Sequence, residues 1–433
     1  MLEIAEPAYP LTKAALTRAL MTGHGRALIH AERWGTDEVR DEILNAALDP
    51  KVYDAQCNGL GEAWLARLCT MAGLVESIVS RNQGMVRDDG WLRCALLKEF
   101  ALQGHAAARL ALREMCRFDE EINDLLGCSE IAEVEGEEGW IFAIDRIGER
   151  LLADKEFWAD LSLVRMLDER VGEGRAMEIL DRESVGNPKV AAYRKAVVSW
   201  QTQRSARPDR SPPSVEELIG KIPTSTKRIP RLSIFGKQAS SDERRRIAAL
   251  DHTKMSPISL ENYLCCFQGS GFPEFRDEYL QLLSHPEERV RWGAHSALSH
   301  HEEPQVRQAA YEALARGEVA HFVKLLRRSG LSEDTEALLS AIGDPRTMID
   351  DDEVHEVVGA LLDLVKENGN LHDSRLVLWI YEKSPCRICR FNAVELMVDR
   401  EILPQWIAAE CLRDAYEDIR EIAAKHLGVE RSF

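Results

Sequence analysis

The fold class predicted from the sequence is all-α: an α-solenoid of stacked antiparallel helix pairs, in two halves joined by a long basic Pro/Ser-rich segment. Three observations lead there. The stretch PEERVRWGAHSALSHHEEPQVRQAAYEAL, from Pro286 to Leu314, carries one pattern twice: Val290-Arg291 then Ala294, Ala297 and Leu298, and Val306-Arg307 then Ala310, Ala313 and Leu314. The pattern returns as Cys389-Arg390, Ala393, Leu396 and Met397 four residues after Pro385, and as Ile419-Arg420, Ala423 and Leu427. Composition agrees, since 45% hydrophobic and 30% charged residues with only 6% aromatics suit many amphipathic helices.

At these offsets the apolar residues form a single stripe on a 3.6-residue helix, with small side chains where a neighbouring backbone approaches. The Arg beside the stripe lays its stem along the surface and keeps its charge near solvent or an acidic partner. Such a helix must bury its stripe against similar helices, so 433 residues form a stack of about ten pairs rather than one oversized core.

From Leu11 to Leu48 the chain reads as two or three helices broken at Gly23 and Gly35, and Val39-Arg40, Ile43 and Ala46-Ala47 echo the stripe. The small-residue run from Gly104 to Met115 suits close helix–helix approach, and a helix opens after the acidic turn at Glu135. Pro188 leads a helix with Val190, Tyr193, Ala196 and Val197 on one face. Residues 1–203 thus form an N-terminal helical half.

The texture changes at 204–246. Five of the sixteen prolines fall there, with eleven Lys or Arg against five Asp or Glu, so the segment carries +6 and the remainder −24. Lacking sustained periodicity, it is expected as a linker or loop. Lys227, Arg228, Arg231, Phe235 and Lys237, which mix cations with apolar groups, are its candidate partner-binding residues. Residues 247–433 form the C-terminal repeat half. Within it, Asp350, Asp351 and Asp352 sit where carboxylates cap a helix N-terminus.

The order Pro, then Val-Arg, then Ala-Ala-Leu resembles the signature of HEAT-repeat proteins over roughly the last third of the chain. The resemblance implies paired antiparallel helices stacked into a superhelix, and a binding role. The helices at Val290 and Val306 start sixteen residues apart, which departs from the spacing of full helix pairs. The run beginning YDAQC at Tyr53 and the run from Glu135 to Leu151 are similar to segments of uncharacterised bacterial helical-repeat proteins. Val290, Arg291, Ala294, Leu298, Val306, Arg307, Ala310, Leu314, Cys389, Arg390, Ile419 and Arg420 are expected to pack repeat on repeat.

Candidate chemistry is thin. Cys386-x-x-Cys389 is the one CxxC; a zinc site wants further ligands and a redox pair wants a preceding strand, so packing is the expectation, with Cys389 on the buried Val position. Cys265-Cys266 diverge on a helix. His295, His300 and His301 with Glu302 and Glu303 lack one-turn His-x-x-x-His spacing, so a solvated turn is expected. The Asp350–Asp352 run lacks the alternation and Gly of a calcium loop. Trp292 beside Arg291 raises a second possibility, a DNA glycosylase of the HEAT-like kind or another nucleic-acid binder. A charge of −24 outside the basic segment opposes it. No Walker A loop, GxSxG elbow or HExxH is present. No catalytic residue, cofactor or metal is nominated.

The acidic surface suits a basic protein partner better than nucleic acid, and an immunity-type inhibitor or adaptor fits that reading. Ten scattered cysteines, no secretory leader and no apolar run near eighteen residues place the expected protein in the cytoplasm, with reduced thiols and no membrane span. The expectation is a non-enzymatic protein-binding scaffold.

Overall fold

The computed structural model describes residues 4–48, 55–57, 59–80, 90–116, 118–119, 124–205, 212–344 and 350–430. Helices run from Lys13–Thr22 to Glu417–Leu427. Among the described residues the one β pairing is a two-residue antiparallel ladder, Phe118–Asp119 on Asp124–Leu125. The fold is all-α, and no helix among the described residues is long and apolar enough to cross a membrane. The chain forms two compact units, Pro7–Asp209 with Trp406–Phe433, and Met1–Glu6 with Arg210–Gln405.

In the first of these units, Glu137–Ala153 packs on Cys128–Glu135 and on Pro188–Ser205. Glycine sets these approaches: a Cβ on Gly148 would lie 2.0 Å from the Lys189 carbonyl oxygen, and one on Gly139 2.2 Å from that of Ile131. Val190, Tyr193 and Val197 bury the stripe of Pro188–Ser205 as the spacing predicts. Trp140 is fully buried and donates its Nε1–H to the Leu163 carbonyl at 2.7 Å, so the ring fills the core without an unpaired polar atom.

The same unit takes the last helices of the chain. Arg26 Nε meets Glu410 Oε1 at 2.8 Å in a nearly buried pair. Trp64 donates to the Arg413 carbonyl at 2.8 Å, and the Ala415 N–H to the Gly23 carbonyl at 2.9 Å. Gly25 allows the approach, because a Cβ there would lie 2.0 Å from the Glu410 carbonyl oxygen. Residues 406–430 therefore pack with the opening helices, where the sequence reading assigned them to 247–433.

In the second unit the basic segment is structured over much of its length. Val215–Lys221, Leu232–Gln238 and Ser241–Ala248 are helices, and Ser214 and Ser240 cap the first and third through the Glu217 and Glu243 N–H groups. Asn262 clips the intervening turn, accepting from the Ile229 N–H and donating to the Lys227 carbonyl. Val215, Leu218, Ile222, Leu232 and Phe235 are buried. Their apolar spacing outweighs the Pro and Ser content, so this is not a loop throughout.

The stretch from Pro286 to Leu314 forms the helices Glu288–Leu298 and Pro304–Ala315. Val290, Ala294, Ala297, Leu298, Val306, Ala310 and Ala313 are buried as expected, while Leu314 is only partly so. Pro304–Ala315 packs on Val319–Ser329, and Glu288–Leu298 packs on Pro257–Cys265, on the 3-10 turn Asp277–Ser284 and also on Val319–Ser329.

Two arginines beside the stripe do one job. Arg291 Nη1 donates to the carbonyls of His285 and Pro286 at 2.8 Å, and Arg420 Nη1 to those of Asp414 and Ala415 at 2.8 and 3.0 Å. Each ties its helix to the carbonyls five and six residues upstream. In Arg387–Asp399 the buried set is Arg387, Arg390, Ala393, Val394 and Met397. Ala393 and Met397 are buried as the sequence pattern places them, while Leu396 is only partly buried and Val394 is buried beside them. Arg390 takes the buried position and Cys389 is left half-buried. Ile419 is buried as expected.

Candidate metal centre

The displaced Cys389 is drawn into a cluster. Ser384 ends the preceding helix and holds the turn: its Oγ donates to the Cys386 carbonyl at 2.8 Å and accepts from the Cys386 N–H at 3.2 Å. Cys386 is thereby fixed as the N-cap residue of Arg387–Asp399, and Cys389 is the third residue of that helix. Residues three apart share a helix face, so both thiols lie along one side of the first turn.

The third donor comes from another helix. The Asp350 carboxylate accepts the Glu353 N–H at 2.9 Å and starts Asp351–Glu367, as expected for a capping aspartate. That helix packs on Val319–Ser329, on Ser374–Lys383 and on Arg387–Asp399, with Val357, Val358, Leu361 and Leu364 among its buried residues. The packing carries His355, near its start, to the CxxC turn. Nε2 of His355 stands 3.3 Å from Sγ of Cys389, and the donor atoms of His355, Cys386 and Cys389 all lie within 4.8 Å of one another. Ligands of a tetrahedral zinc ion, bonded at 2.0–2.3 Å, stand about 3.3–3.8 Å apart. The imidazole–thiol distance is already at that value, and two thiolates with an imidazole are a zinc donor set.

A second cluster looks similar and differs in a decisive way. The donor atoms of His295, Glu318 and His321 also lie within 4.8 Å of one another. Their imidazoles are stacked, however, with centroids 3.8 Å apart and planes 14° from parallel. An imidazole binds a metal in its own ring plane, and two stacked planes share no point for an ion. Lys324 adds a positive charge that lowers both histidines. His295 is buried and donates Nδ1–H to the Arg291 carbonyl at 2.7 Å, so its lone pair is on Nε2, which has no hydrogen-bond partner. Burial pushes its pKa down to about 3, with His321 adding to the effect. This is a neutral stacked pair.

The sequence had placed His295 in a solvated turn with His300, His301, Glu302 and Glu303. The structure instead buries His295 inside a helix. His300 Nε2 turns to the Gln268 carbonyl, and His301 sits beside Glu303 and Phe272. Trp292 is 46% exposed, with the Lys324 ammonium 4.9 Å from its ring centre, so it is not a core residue. Of the candidate partner-binding residues, Lys227, Arg228, Arg231 and Lys237 are exposed, with Arg228 paired to Glu261 at 2.7 Å. Phe235 is buried and cannot meet a partner directly. Cys266 is buried and Cys265 half-buried, consistent with adjacent side chains diverging.

Sequence reasoning missed His355, which stands outside the apolar stripe of its helix and far from the cysteines along the chain. Its one signal was a metal-ligating residue type on a helix two elements before the CxxC. Comparisons with family models, with curated proteins and with solved structures found no match to this chain.

Proposed function

We propose that the chain is a non-enzymatic helical-repeat scaffold of the HEAT kind that binds a protein partner, in the manner of an adaptor or an immunity-type inhibitor. The observation carrying this reading is the shared tie of Arg291 and Arg420, each to the carbonyls five and six residues upstream. A structural device used twice, on helices far apart in sequence, supports a repeated unit, and such units serve as binding surfaces. Trp292 with Lys324 on its face is a half-exposed aromatic of the sort that anchors protein interfaces. The −18 net charge favours a basic partner. Ten cysteines, none in a disulfide and eight of them buried, suit a reducing cytoplasm.

The test is affinity capture from the source cell with the wild-type chain and with Trp292→Ala, followed by titration of each purified candidate. The expected result is a basic protein bound directly, with affinity reduced about 10-fold or more by Trp292→Ala. Binding of an alkylated DNA duplex in preference to any protein would instead support the glycosylase-like alternative.

A further inference from the structure

We propose that Cys386, Cys389 and His355 bind a zinc ion that ties Asp351–Glu367 to Arg387–Asp399. Three observations converge on it, and none depends on the scaffold reading. The donors are of the right chemistry, two thiols and an imidazole, which select zinc over hard cations such as magnesium or calcium. Their spacing is nearly that of the bound state: all within 4.8 Å, with the 3.3 Å imidazole–thiol pair needing no movement. The cysteines are also anchored, since Ser384 fixes the backbone of Cys386 from both sides and Cys389 is held by the helix.

A disulfide or a bare thiol pair would explain the CxxC but would not call for a histidine from a separate helix. Zinc uses all three donors. Binding is an exchange without electron transfer: the two thiols give up their protons to solvent, the sulfurs and His355 Nε2 donate lone pairs, and the ion sheds water. Three protein ligands leave a fourth position for water or an added donor.

The ion also has a mechanical role. Asp351–Glu367 and Arg387–Asp399 both pack on Ser374–Lys383. A bond between the flanking helices would pin this three-helix group at the end where Arg387–Asp399 begins.

The experiment measures metal in the full-length chain, purified under reductant and then titrated with Zn²⁺ or Co²⁺ alone. The expected result is one equivalent of zinc, and a cobalt form with the absorption bands of a tetrahedral thiolate site. Cys386→Ser and Cys389→Ser should abolish those bands. His355→Ala should weaken binding by more than the roughly 10–100-fold that loss of an outer-sphere partner costs. Far-UV circular dichroism establishes that each variant is folded, and His355→Ala serves if a cysteine variant is not. His295→Ala and His321→Ala should leave the metal content unchanged. The proposal is overturned if the reduced wild-type chain takes up no zinc, if the double cysteine variant keeps it, or if the bands follow His295.

Discussion

Arg307 clasps Asp334 across 27 residues, its Nε lying 2.9 Å from Oδ2 and its Nη2 2.6 Å from Oδ1 of a fully buried carboxylate. The Tyr311 hydroxyl donates to Oδ1 at 2.6 Å and the Leu331 N–H to Oδ2 at 2.7 Å. The fork joins Pro304–Ala315 to the turn before Thr335–Gly343. Removing one partner of a buried pair strands the other, which costs about 3–5 kcal/mol. Arg307 is partly exposed and also meets Glu333, so Asp334→Ala is expected near the low end and Arg307→Ala, which strands the buried carboxylate, no lower. Urea midpoints at neutral pH check both.

The same pair has a pH signature. Burial alone would raise the Asp334 carboxyl, but hydrogen bonds from Arg307, the Leu331 N–H and Tyr311 outweigh it and hold its pKa below the usual value. A depressed carboxylate contributes stability fully above its unfolded pKa, about 4. That contribution is lost as pH falls below 4 and through the folded value. Arg307→Gln should flatten this part of the stability profile, measured by denaturant titration from pH 5 downward.

His295 acts over a neighbouring range. Its folded pKa is depressed to about 3 by burial and by His321. The unfolded chain therefore takes the proton first, near pH 6.5. Stability from this group is whole above that pH and declines toward pH 3, with a slope approaching about 1.4 kcal/mol per pH unit. His295→Phe should reduce the slope in that window. An unchanged profile would count against a buried neutral imidazole.

Arg291 should not tolerate loss of its fork. Arg291→Ala removes two charge-assisted bonds to the His285 and Pro286 carbonyls and is expected to cost about 1.5–3 kcal/mol. Arg420→Ala should cost a similar amount, because its geometry is the same. Unequal losses, measured as denaturation midpoints at constant m-value, would weaken the case for a repeated device.

Zinc removal gives a further check. With zinc at about 100 times its dissociation constant, binding adds about 2.7 kcal/mol to the unit it occupies. A chelator should lower the thermal midpoint by the corresponding amount in the wild type, and leave Cys389→Ser unmoved.

How much of this was legible depended on distance along the chain. The stripes at Val290 and Val306 were readable because a helix face is set by neighbours three and four residues apart. After Pro385, Ala393 and Met397 were placed correctly, but Cys389 was given the buried position that Arg390 takes, because a buried arginine looks like a surface residue in sequence. Ser214 with Glu217, and Ser240 with Glu243, did announce helices inside the basic segment, but prolines and charges drew attention away from the caps. The zinc ligands escaped for another reason. His355 meets Cys389 through the packing of three helices, and no local spacing records that. The pairing of Arg26 with Glu410, 384 residues apart, is equally silent in sequence.

That last pairing shapes how the protein must be made. The helices within residues 13–79 leave the ribosome well before the residues that sit over Gly25 and accept the Trp64 indole N–H, the latter 349 residues further along. Nascent domains commonly fold in order as they emerge. Here the unit built on residues 7–209 keeps an open seam until residues 406–430 emerge. Expression of residues 1–203 alone should give an aggregation-prone fragment, and a chaperone that shields that seam during translation would be the natural safeguard.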